Sequence, residues 1–291
     1  MICRRLLLTS IFILVIVFPG IHAQEAAAPV NPFAEKLKLE FDSLKKITTD
    51  EAKRAYNQVI LSDVQNFLKD PASYAVNLDS VKFMGKVVSP DNAFRALNWN
   101  IAYGDFTFEY FNFLQFNPQD KQGYRVIRLM DTGLKVGKDL ENKQFSSENW
   151  YGALIYKILL NTYKRQNYYT LLELDYNNLM SSFKIIDVMT FDKLGNPVFG
   201  APIFKTDKGI RSRVVFEYSA QVSMGLKYDD RFKMIVFDHL SPIRPDLAGD
   251  YKFYGPDFSY DGYKFENGFW VYKPDLDVTN PVPTTGRGQK K

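Results

Sequence analysis

Asp238-His239 is the one place in this sequence where a carboxylate and an imidazole adjoin, since the only other histidine is His22 near the N-terminus. A serine hydrolase needs such a histidine beside a serine nucleophile and an orienting acid. No Gly-x-Ser-x-Gly elbow accompanies it. A metal site would need two or three more ligands, and these would have to be carboxylates. His239 follows the apolar run 234–237 and precedes Leu240-Ser241-Pro242. A structural histidine closing a strand is therefore the plainer expectation.

Two other patterns invite chemistry. Asp257-x-x-x-Asp261-Gly262 gathers carboxylates as Ca²⁺ requires, but without the alternating ligands and distal glutamate of an EF-hand. Acidic residues beside glycine are also ordinary turn formers. Trp150-Tyr151, Tyr168-Tyr169 and Phe269-Trp270 offer aromatic faces for sugar stacking, and aromatics equally fill β cores. A glycosidase would place two carboxylates across a cleft, and no motif selects such a pair among the 33 acids. The candidate site residues are thus Asp238, His239, Asp257, Asp261, Trp150 and Tyr151. The sequence assigns no catalytic residue, no cofactor and no metal ligand.

Composition narrows the class. The chain has 291 residues, 15% of them aromatic and 46% hydrophobic, too many for a disordered chain. A single cysteine excludes a disulfide scaffold or a multi-thiolate metal site. No Walker-type lysine loop and no Gly-x-Gly-x-x-Gly is present. The net charge of +4 is carried by the two ends: Arg4 and Arg5, then Arg287, Lys290 and Lys291, so residues 24–280 stand at −1. A body without a basic excess argues against nucleic-acid binding.

Arg4-Arg5, the 13-residue apolar run 6–18, Pro19-Gly20 and Ile21-His22-Ala23 have the layout of a secretory signal peptide, with cleavage expected after Ala23. The run is shorter than a membrane-spanning helix needs. Cleavage would remove Cys3 and His22, leaving a thiol-free chain with one histidine. No cysteine ends the apolar run, so a lipoprotein is not expected. The expected address is the periplasm or outer cell envelope.

The remaining elements must position the candidates. Residues 24–79 read as a flexible lead followed by a helical hairpin. Asn31-Pro32 opens a helix over 32–46 with a stripe at Phe33, Leu37, Phe41 and Leu44. Thr48 and Glu51 form a capping box for a second helix carrying Ala52, Tyr56, Val59, Val64, Phe67 and Leu68 on one side, ended by Asp70-Pro71. Such a hairpin binds a partner or packs on its own domain, and most amphipathic stripes do the latter. From 80 to 274 the texture is short strands between turns, mainly β and antiparallel. The runs are 106–110, 124–130, 151–160, 168–174, 183–191, 198–204, 213–218, 222–228 and 232–237. Apolar parity shifts at Tyr110-Phe111-x-Phe113, which implies a bulge or a strand buried on both faces. Asn267-Gly268 marks a type I′ hairpin. A multi-strand meander in propeller-like, barrel-like or sandwich form accommodates these strands. Residues 275–291 read as a flexible basic tail.

Several segments resemble a set of uncharacterised exported proteins of Bacteroidota-type cell envelopes. They are Ser89-Pro90-Asp91 with Arg95 and Trp99, Asn149-Trp150-Tyr151-Gly152-Ala153-Leu154, Tyr168-Tyr169-Thr170-Leu171-Leu172, Phe237-Asp238-His239-Leu240-Ser241-Pro242, and Tyr254 through Asp261. In that set Tyr-Thr-Leu-Leu is often followed by Gly-Trp-Asp. Here Glu173-Leu174-Asp175 stands instead, so no role of that tryptophan transfers. The resemblance implies export and a mostly β fold, and no reaction. The expectation is a non-enzymatic envelope protein that binds another protein or a glycan. The alternative is a carbohydrate-binding or carbohydrate-active hydrolase that uses a carboxylate pair.

Overall fold

Asn31 caps the first helix, as its place before Pro32 implies. In the computed structural model, which describes residues 31–278 apart from 122, 135 and 208, its side chain accepts from Phe33 N (2.9 Å) and Ala34 N (3.3 Å). The expected signal peptide and most of the expected tail lie outside the described residues. Helix α1 runs Pro32–Leu44 and α2 runs Asp50–Phe67. The second cap is Thr49 rather than Thr48, one residue later than the capping-box reading. The buried face also differs from the expected stripe: Asn57, Ile60, Leu61 and Val64 point inward and Val59 is exposed. A polar Asn57 is admitted there because Trp99 Nε1 donates to its side chain at 2.9 Å.

The first sheet is an antiparallel meander of β1 (Gly85–Val88), β2 (Phe94–Ala102), β3 (Phe108–Phe116) and β4 (Val126–Met130). The helices cover one face. Leu97, Trp99, Phe111 and Phe113 point into that helical core, while Phe94, Ala96, Tyr110 and Leu114 point the other way. The parity shift after Tyr110 is therefore double-sided burial, since β3 pairs β2 without a bulge. Strand β2 escapes an alternation search for the same reason, and its polar Arg95 is fully engaged. Arg95 donates to Gln115 (2.7 Å), Ser73 O (2.8 Å) and Val76 O (3.2 Å), which pins the segment after α2 to the sheet.

The chain then builds a middle sheet from β5 (Phe145–Ser146), β6 (Leu154–Tyr163), β7 (Gln166–Asp175), β8 (Ser181–Phe191) and β9 (Pro197–Phe199). It crosses to a third layer for β10 (Phe204–Thr206) and β11 (Gly209–Arg211), and returns for β12 (Arg213–Ser219), which pairs β8. It ends in the third sheet with β13 (Leu226–Asp229), β14 (Met234–Pro242), β15 (Tyr254–Glu266) and β16 (Phe269–Lys273). The third sheet has the order β11-β10-β16-β15-β14-β13, with β10 and β16 parallel. Three sheets are stacked, so the architecture is a sandwich carried to a further layer, and no closed barrel is found. The helical hairpin packs on its own domain.

Strands β7 and β8 of the middle sheet are buried on both faces. Leu171, Ile185 and Met189 enter the core shared with the first sheet, whereas Leu172, Ile186 and Val188 enter the one shared with the third. Polar fasteners cross both seams. Tyr169 donates its hydroxyl to Asp91 (2.8 Å) in the turn between β1 and β2. Trp270 Nε1 donates to Thr170 Oγ1 (2.9 Å). The expected hairpin is present, with Asn267 and Gly268 at φ 54° and 85°. Past β16, Leu276 N bonds Tyr260 O at 2.7 Å, so the first residues after the strands are docked.

Gly152 is required where it stands. Its φ is +80°, and a Cβ there would lie 2.6 Å from the Asp131 carboxyl carbon. Gly152→Ala is expected to cost at least about 1–2 kcal/mol from the left-handed backbone alone, with the contact adding to it. A fall in the urea midpoint checks this; unchanged stability refutes it.

Candidate functional site

His239 sits where β14 and β15 lose register. Asp238 pairs Tyr260 and Leu240 pairs Pro256, so one residue of β14 faces three of β15. The bulge is held by Asp257, which accepts from Ser241 Oγ (2.6 Å), Ser259 Oγ (2.7 Å) and Ser259 N (3.1 Å). The Ser241 bond, then the Ser259 bonds, lower the Asp257 carboxyl to about 2. At the apex Phe258 is 92% exposed with φ +69°.

The bulge turns the imidazole toward Asp261. His239 Nδ1 lies 2.7 Å from Asp261 Oδ2, and Nε2 lies 4.0 Å from Asp257 Oδ2. Buried Asp261 also accepts from Tyr272 Oη (2.6 Å) and Asp275 N (3.1 Å). The Asp261 hydrogen bond raises the His239 pKa against the opposing effect of burial. The cluster opens on a hollow of about 200 Å³ between the middle and third sheets. Its walls carry Phe216, Phe237, Tyr251, Tyr254, Tyr263 and Tyr272, with Lys138 and Glu217 as further polar groups. Lys138 Nζ donates to Val215 O at 2.5 Å, and desolvation lowers its pKa.

Three of the six sequence candidates, His239, Asp257 and Asp261, are thus brought together. Asp238 borders the hollow, but its carboxylate accepts Gly225 N (2.6 Å) and fixes the turn before β13. Trp150 and Tyr151 lie elsewhere, in the core between the first and middle sheets. The two acids of the Asp257–Asp261 pattern are engaged in holding a bulge and an imidazole. Among the described residues no group of three or more His, Cys, Asp or Glu is placed to hold a metal ion. The Ser241 hydroxyl donates to Asp257, and among the described residues no serine hydroxyl is hydrogen-bonded to the imidazole. Its chemistry is that of an imidazole oriented by Asp261, whose Nε2 accepts when the ring is neutral and donates when it is protonated, with aromatic faces around it.

Tyr272 escaped the sequence reading. Its signal was the Asn267-Gly268 turn: once that turn sets Glu266 against Phe269, Tyr272 falls opposite Tyr263, beside Asp261. Tyr251 and Tyr254, whose rings are 4.9 Å apart, carried no local signal.

Tyr151 belongs to a sealed polar cluster. Its hydroxyl touches Glu173 Oε2 and lies 2.9 Å from Asp187 Oδ2, which also takes Arg213 Nε (3.1 Å) and Nη2 (3.0 Å). All four side chains are buried, and Glu173 Oε1 has no partner. One phenolic hydrogen cannot serve two ionised carboxyl oxygens, so one acid must carry a proton. Asp187 is matched by Arg213, which leaves the proton to Glu173. Burial, with the Asp187 charge adding to it, pushes the Glu173 carboxyl up to about 8. This close carboxyl pair is closed to substrate.

The raised His239 pKa has a signed consequence. The folded state binds the imidazole proton more tightly than the unfolded chain does. Its contribution to stability is therefore full below the unfolded value of ~6.5 and disappears as pH rises through the folded value. Thermal melts of wild type and His239→Gln are expected to differ most below that pH and to converge above it. A difference that grows with pH refutes the assignment.

No family model, no curated protein and no solved structure matches this chain.

Proposed function

We propose that this chain is an exported, non-enzymatic binding protein of the cell envelope, and that the His239 hollow receives a glycan. The observation that carries this reading is the hollow itself. It is concave and walled by aromatic rings, and a few convergent polar groups (His239 Nε2, Lys138, Glu217) fix orientation. Such a surface stacks a sugar ring and meets its hydroxyls with donors and acceptors. Among the described residues no serine hydroxyl is hydrogen-bonded to the oriented imidazole, and the sealed Glu173–Asp187 pair offers no acid and base to a glycosidic bond. Export rests on the N-terminal layout and on the resemblance described above.

The test uses the protein starting at residue 24, titrated by NMR with oligosaccharides released from the producer's envelope. Saturable shifts are expected at Gly225, His239 and Tyr272, and Tyr254→Ala is expected to weaken binding by about tenfold. New reducing ends appearing during incubation would overturn the non-enzymatic reading. Retention in the cytoplasmic fraction of the producing cell would overturn export.

A further inference from the structure

A second cavity, of about 280 Å³, opens at the seam between the first and middle sheets, remote in the chain from the His239 bulge. Asp131, directly after β4, and Asp175, the last residue of β7, both line it, with Phe108, Tyr110, Tyr151 and Asn177 around them. Tyr110 spans the two acids. Its backbone N–H donates to Asp131 Oδ2 (2.9 Å) and its hydroxyl to Asp175 Oδ1 (2.7 Å). Asp131 Oδ1 accepts Gly133 N (2.8 Å), and Asp175 Oδ1 also accepts Asn177 N (2.7 Å). Asp175 Oδ2 has no hydrogen-bond partner among the described residues, although the residue is only 7% exposed.

The imbalance is one of both charge and hydrogen bonding. Neither acid forms an ion pair with a lysine, arginine or histidine among the described residues, and burial raises both carboxyl pKa values. Asp175 lines the cavity, and this oxygen keeps its accepting capacity there. The free capacity facing the cavity is accepting, so an occupant must bring hydrogen and positive charge. Phe108 and Tyr110 line the cavity as well, and aromatic rings attract cations. The geometry points to a binding site for a small ligand bearing a primary ammonium group, which donates to Asp175 Oδ2 beside Asp131. This site is independent of the glycan reading of the His239 hollow.

An ammonium group comes from an amino sugar or a polyamine, and neutral glucose is the control. The protein from residue 24 onward is titrated separately with glucosamine, 1,4-diaminobutane and glucose, following the amides of Tyr110, Gly133 and Asn177, which bond the two carboxylates. Saturable shifts with glucosamine alone support an amino sugar, and with the diamine alone a polyamine. Glucose is expected to leave these amides unmoved. Asp175→Asn, with folding verified by circular dichroism, is expected to weaken binding by at least about tenfold, the loss of one charge-assisted bond. The proposal is overturned if glucose matches glucosamine, or if neither ammonium probe saturates by ~10 mM. It is likewise overturned if shifts occur only around His239, or if folded Asp175→Asn binds as tightly as wild type.

Discussion

Arg213→Ala is expected to abolish cooperative folding at ordinary temperature. The guanidinium is wholly buried and spends itself on three groups: Asp187 through Nε and Nη2, Leu140 O, and Lys143 O at 2.8 Å. It also lies 4.7 Å from the Phe145 ring centroid. Truncation leaves Asp187 as an unpaired charge inside the core, which costs about 3–5 kcal/mol. The stranded Lys143 carbonyl adds about 1–3 kcal/mol, while Leu140 O keeps the Lys143 N–H. Together these approach the whole stability of about 5–15 kcal/mol that holds a domain folded. Urea unfolding followed by circular dichroism checks it: the variant should lack a native baseline. The double variant Arg213→Met, Asp187→Leu removes both charges and is expected to recover most of the loss, as replaced buried ion pairs do. A near-native midpoint for Arg213→Ala alone would show that Asp187 finds another partner.

Glu173→Gln is expected to reverse its effect on stability with pH. A carboxyl whose folded pKa lies above its unfolded value binds its proton more tightly when folded. Wild-type stability from this group therefore falls as pH rises, by about 1.4 kcal/mol per unit between the ordinary value near 4.5 and about 8. Glutamine imitates the protonated acid and does not titrate. Below pH ~4 the two proteins should be nearly equal, and at pH 7 the variant should be more stable by about 3 kcal/mol. The groups that face this carboxyl are Tyr151, Asp187 and Arg213, and all three remain in the variant. The observable is the difference between the two stability curves across pH, which cancels every other titration. A flat difference would mean that Glu173 is ionised throughout and that the shared Tyr151 hydroxyl is not what requires a proton there.

Local grammar was legible in this sequence, and layering was not. Asn31-Pro32 and Asn267-Gly268 each specify a backbone geometry within two residues, and both occur as read. Strand β2 was hidden because burial on both faces erases alternation, and its Arg95 and Asn98 are satisfied only by distant partners. The stripe on α2 was legible in part: Val64 and Leu68 are buried and Tyr56 and Phe67 pack on the same core, whereas Asn57 is inward only by virtue of Trp99, which lies 42 residues further on. The quoted resemblance segments largely fasten layers: Asp91 meets Tyr169, Thr170 meets Trp270, and Gly152 makes room for Asp131. Among the site candidates, His239 stood out by scarcity, and Asp257 and Asp261 by grouping. Trp150 and Tyr151 misled because adjacent aromatics in a β chain fill cores as readily as they line clefts. Asp131 and Asp175 had nothing to separate them from the other acids until the first and middle sheets closed on each other.

The layers follow one another in space nearly as they do along the chain: helices, first sheet, middle sheet, third sheet, with only β10 and β11 crossing ahead of β12. A polypeptide that emerges from its N-terminus therefore meets each platform before the layer that must rest on it. The middle sheet gains most from this order, because it exposes two apolar faces until both neighbours are in place, and the first neighbour is already made when β6 to β8 appear. A circular permutant that began at β5 would present the layers in another sequence. It would leave the middle-sheet face that packs on the first sheet open until β1 to β4 arrive last, where association with another chain competes with native stacking.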